Sequence, residues 1–73
     1  MPIRPIIKEV KGVLRGVPNT WVRFHSHKSV WVGVYPPFPP RAVLEAAENT
    51  LRAAGYIVVR EDQHNILTVK KGN

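Results

Sequence analysis

Aromatic rings and cations interleave over one short span of the chain: Trp21, Arg23, His25, Lys28, Trp31 and Tyr35. Rings of this kind can stack on unpaired bases at about 1–3 kcal/mol per base, while arginine and lysine neutralise the phosphates between them. The spacing assigns these side chains to a surface. If residues 21–24 and 30–35 are strands, Val22, Phe24, Val30, Val32 and Val34 share one face. Trp21, Arg23, His25, Trp31, Gly33 and Tyr35 share the other. The all-valine set belongs against a core, which leaves the aromatic and basic set for a partner. Three aromatics on one face would look the same under a second helix or against a second copy of the chain, so a homodimer stands as an alternative.

A second cationic feature precedes it. Arg4, Lys8, Lys11 and Arg15 follow one another at spacings of four, three and four. On a helix they form a stripe about 16 Å long that could track a phosphate backbone. An ordinary solvated helix face has the same appearance.

Other chemistry finds little support. His25 and His27 lie two apart and His64 lies in a later turn, so three imidazoles would meet only if two hairpin tips met. There is no cysteine, hence no disulfide, thiolate zinc site or cysteine nucleophile. Ser26 and Ser29 have no strained elbow, oxyanion loop or partner acid around them. Glu45 and Glu48 could be an acid pair, but Glu48 and Arg52 stand in the i, i+4 order of a surface ion pair. No glycine loop cradles a phosphate. The expectation is therefore no catalytic residue, no metal, no cofactor and no enzyme activity.

The elements that must position the aromatic face centre on residues 41–54. Val43, Leu44, Ala47, Leu51 and Ala54 recur at helical spacing. Pro39 and Pro40 suit a helix start, and Gly55 suits a left-handed stop. Residues 6–15 are ambiguous. Ile6, Ile7, Val10, Val13, Leu14 and Val17 gather on one side of a helical wheel, with Pro5 as a first residue and Gly16 as a stop. Gly12 and the β-branched residues argue instead for a hairpin turning at Lys11-Gly12. Residues 36–40 read Pro-Pro-Phe-Pro-Pro, an extended connector that sets the entry of the helix with Phe38 under its first turn. Tyr56 to Arg60 and Ile66 to Lys70 read as a second hairpin, with Leu67 and Val69 inward and Thr68 and Lys70 outward.

At 73 residues and 44% hydrophobic content the chain suits one α+β domain spanning residues 1–73. Its layout is (α)ββαββ, a mostly antiparallel sheet packed against the central helix. The formal net charge is +6, and residues 1–36 carry six cations against Glu9 alone. That field favours an anionic partner, either nucleic acid or an acidic protein surface. No leader-like segment and no apolar run of about 20 residues is present, so a cytoplasmic protein without membrane contact is expected. The leading expectation is a non-catalytic nucleic-acid-binding module using Trp21, Arg23, Trp31, Tyr35, Lys28, Lys8, Lys11 and Arg15. The alternative is an inhibitor or adaptor, of the small accessory type found in mobile elements and phages, docking on a larger acidic protein.

Overall fold

The apolar stripe Ile6, Val10 and Leu14 winds into a helix, because burying three such side chains outweighs the cost of Gly12, about 1 kcal/mol. The computed structural model describes residues 5–72. Helix α1 spans Pro5–Val13 and tightens into a 3₁₀ turn over Leu14–Gly16. The chain continues as β1 (Thr20–Ser26), β2 (Ser29–Val34), α2 (Pro40–Ala53), β3 (Tyr56–Glu61), a 3₁₀ turn over Asp62–His64, and β4 (Ile66–Lys71). The hairpin alternative for residues 6–15 is thereby set aside, and α2 begins and ends one residue earlier than its sequence pattern suggests. Pro5 opens α1 as its position before the apolar stripe suggests.

The sheet is antiparallel throughout, in the order β1-β2-β4-β3. Helix α2 carries the chain across from β2 to β3, and β4 returns between them. Register aligns Val30 with Val69 and Val69 with Val58, so three inward residues form one row across three strands. Val32 and Leu67 form the next row. All five are buried, together with Ile6 and Val10 of α1, Leu14 of the 3₁₀ turn after it, and Leu44, Ala47 and Leu51 of α2. One core thus lies between one face of the sheet and both helices. Each fully buried Leu or Val in it contributes about 1.5–3 kcal/mol.

Two local expectations are corrected. Phe24 is 48% exposed instead of buried with Val22, because it stands near the end of an edge strand, where the core stops at Val22. The proline run is not extended. The Pro36–Pro37 bond is cis, and the Phe38 N–H donates to the Tyr35 carbonyl at 3.2 Å, closing a tight turn. Phe38 is exposed rather than tucked under α2.

Polar links hold the helices to the strands. Glu48 accepts from Arg52 (3.0 Å) and from Arg60 of β3 (2.9 Å). Glu9 of α1 accepts from the Tyr56 hydroxyl (3.1 Å) and pairs with Lys71 (3.4 Å). Both therefore tie a helix to the β3–β4 hairpin.

Candidate nucleic-acid interface

Both helices cover one face of the sheet, so the other face carries the side chains of opposite parity. Trp21 projects from the edge strand β1 opposite Gly33 of β2. Its benzo ring fills the space that a Cβ on residue 33 would need. The Arg23 guanidinium lies 4.8 Å from the centroid of the Trp21 ring, a cation–π contact. Arg23 in turn pairs in register with Trp31, Trp31 with Thr68, and Thr68 with Val59. One row of outward side chains thus crosses all four strands.

The register of β1 shifts between Phe24 and Ser26, placing a bulge at His25. The His25 ring stacks on Trp31 with centroids 4.6 Å apart and planes inclined by 22°. Its Nδ1 lies 2.7 Å from Ser29 Oγ, which lies 2.7 Å from Ser26 Oγ. Ser29 is buried, so this network fixes the imidazole from behind. Trp31 nevertheless stays 37% exposed near the middle of the face, and Ile57 and Val59 are exposed on β3, beyond the intervening strand β4. His25, Trp31, Glu61, His64, Ile66 and Thr68 line a shallow depression there.

Tyr35 follows β2 and is half-exposed. Its N–H donates to the Asn19 carbonyl at 2.9 Å, and Asn19 takes a left-handed φ of 73° in the turn that leads into β1. The Thr20 hydroxyl donates to Val17 (3.1 Å) and closes the same turn. This brings Tyr35, Trp21, Arg23 and Lys11 around a second depression at the β1 edge.

The sequence-derived candidates therefore divide among several places. Trp21, Arg23, Tyr35 and Lys11 meet at the β1 edge, and Trp31 stands in the middle of the open face. Lys28 lies in the β1–β2 turn and borders a further depression with Ile57 and Lys70. Arg15 is exposed in the 3₁₀ turn after α1, and Lys8 is exposed on α1 itself. That helix packs on the opposite side of the sheet from Trp31, so the cationic stripe and the aromatic platform are not one flat surface. Arg4 lies outside the described residues. Among the described residues, no ion pair engages Lys8, Lys11, Arg15, Arg23 or Lys28.

Part of this face is not legible in the sequence. Thr68 and Lys70 read as outward residues, but only the strand order, with β4 next to β2, joins them to Trp31. Ile57 and Val59 carried no signal, since Tyr56 to Val59 are apolar or aromatic at every position. Among the described residues, the two groups held away from their ordinary pKa, Glu48 and Tyr56, both serve the helix–strand links. Among the described residues, no group of three His, Cys, Asp or Glu side chains is arranged to hold a metal ion.

No family model, curated protein or solved structure matches this chain. Among the described residues, no helix is long and apolar enough to cross a membrane.

Proposed function

We propose that the protein is a non-catalytic module that binds single-stranded nucleic acid on the open face of its sheet. One observation carries the reading: Trp31, backed by His25 and flanked in register by Arg23, stands exposed on a sheet face that neither helix covers. A ring held at that position offers a π surface to an unpaired base, and bases of any identity can use it. Cations with no ion-pair partner among the described residues supply the attraction for phosphate, and its strength falls with added salt.

The test is tryptophan fluorescence with a single-stranded oligonucleotide at low salt. Quenching that saturates, weakens with salt and drops about tenfold in Trp31→Ala or Arg23→Glu is expected. An oligonucleotide that leaves the emission unchanged at low salt refutes the reading.

A second reading is an acidic protein partner on the same face. The exposed Ile57 and Val59 favour it, since aliphatic side chains offer nothing specific to a nucleic acid. Capture of a partner that survives nuclease treatment and is lost in Val59→Lys would select it.

A further inference from the structure

The depression at the β1 edge lies where the open face ends and the helix side begins. Its walls come from three distant parts of the chain: Lys11 and Leu14 at the end of the first helical segment, Trp21 and Arg23 on β1, and Tyr35 after β2. Its volume is about 320 Å³, near the lower end of small-molecule sites and enough for one nucleoside. No acidic residue lines it. Lys11 and Arg23 are both exposed, and neither has an ion-pair partner among the described residues. Two aromatic rings with two uncompensated cations and no carboxylate match a base carrying an anionic group. They do not match a cation or a purely apolar ligand.

Position adds a second argument. Trp21 and Arg23 belong to the same open face as Trp31, while Lys11 belongs to α1, which also exposes Lys8 and leads into the 3₁₀ turn that exposes Arg15. These three cations sit three and four residues apart, hence on one side of the helical segment. The depression is therefore where a path can run from the aromatic platform to the cationic stripe on the far side.

We propose that this depression is a single-nucleotide subsite through which a strand lying on the sheet turns over the β1 edge. The base rests against Trp21 and Tyr35, its phosphate is held by Lys11 and Arg23, and the following phosphates pass to Lys8 and Arg15. This rests on the single-strand reading above and extends it, because it makes the helix stripe part of the same binding path.

The experiment compares thymidine oligonucleotides of two lengths, a trinucleotide and a nonanucleotide, on the wild type, Lys11→Gln and Trp31→Ala. Lys11 is exposed, so its replacement leaves the core untouched, and circular dichroism confirms the fold of each variant. Lys11→Gln is expected to weaken the nonanucleotide at least threefold and to reduce its salt slope by about 0.7, the value for one single-strand phosphate contact. The trinucleotide, held by the platform, is expected to bind Lys11→Gln as it binds wild type. Trp31→Ala is expected to weaken both. If Lys11→Gln affects neither length, or both equally, the subsite is overturned while the platform stands. If wild type binds neither oligonucleotide, or if Trp31→Ala changes nothing, the platform reading itself fails and the subsite falls with it.

Discussion

The benzo ring of Trp21 occupies the space above Gly33 on the neighbouring strand that any side chain there would need. Gly33 is buried by that ring, and its backbone needs no left-handed conformation. The glycine is therefore demanded by the ring alone. Gly33→Ala is expected to lose about 1–3 kcal/mol through overpacking. In Trp21→Ala the same substitution is expected to be neutral or slightly favourable, since glycine weakens a strand interior. A double-mutant cycle by thermal or urea denaturation measures the coupling. Equal costs in the two backgrounds would show that the ring does not set the requirement.

Glu48 offers a pH-dependent test of the α2–β3 link. Partial burial works to raise its pKa, but hydrogen bonds and charge from Arg52 and Arg60 outweigh this and hold the carboxyl below its ordinary 4.5. The folded state then binds fewer protons than the unfolded state in that range. The stabilisation is complete above about pH 4.5 and disappears as pH falls through the folded value. Glu48→Gln is expected to cost about 1 kcal/mol near neutrality, modest because Arg52 is half-exposed. The gap between wild type and variant should close in acid. Urea denaturation at neutral and acid pH checks this, and a gap independent of pH would place the effect elsewhere.

Tyr56 titrates in the opposite sense. Burial, reinforced by its hydrogen bond to Glu9 and by the Glu9 charge, raises its pKa above 10.0. The folded state holds this proton more tightly than the unfolded state does. That contribution is complete below pH 10 and lost as pH rises through the folded value. Tyr56→Phe is expected to destabilise the protein by about 0.5–1.5 kcal/mol near neutrality, the worth of one hydrogen bond. The difference in tyrosinate absorbance between wild type and Tyr56→Phe isolates this group and should have its midpoint above 10. A midpoint at or below 10 would deny the contact with Glu9.

How far the sequence reveals this fold depends on contrast between neighbouring residues. In β2 and β4 the valines and Leu67 alternate with polar, aromatic or small residues, so their faces are legible and the register bears them out. In β3 apolar residues stand on both faces, which left Ile57 and Val59 unassigned. For α1, Gly12 and the β-branched residues pull toward a hairpin, and only burial of Ile6, Val10 and Leu14 decides for a helix. The cis bond at Pro36–Pro37 has no local signature, so the run reads as extended. The outward parity of Trp21 and Trp31 follows from alternation alone. The meeting of Lys11, Trp21 and Tyr35 does not, because it depends on how the first helical segment and the end of β2 flank the β1 edge.

Strand β3 forms the opposite edge of the sheet. Among the described residues, it pairs only with β4, so its outer side offers backbone groups to any other strand. Arg52 Nη2 donates to the Val58 carbonyl at 2.6 Å, occupying one of those acceptors with a charged side chain. Ile57 and Val59, on either side of Val58, are exposed and would reward pairing with a second copy. Arg52→Ala removes the guanidinium and should promote concentration-dependent association through β3. Glu48→Gln serves as the comparison, because it weakens the same link while leaving Arg52 in the chain. Sedimentation velocity over a range of concentrations should show Arg52→Ala self-associating beyond wild type and Glu48→Gln behaving as wild type. If Arg52→Ala sediments like wild type at every concentration, the guanidinium is not what guards this edge.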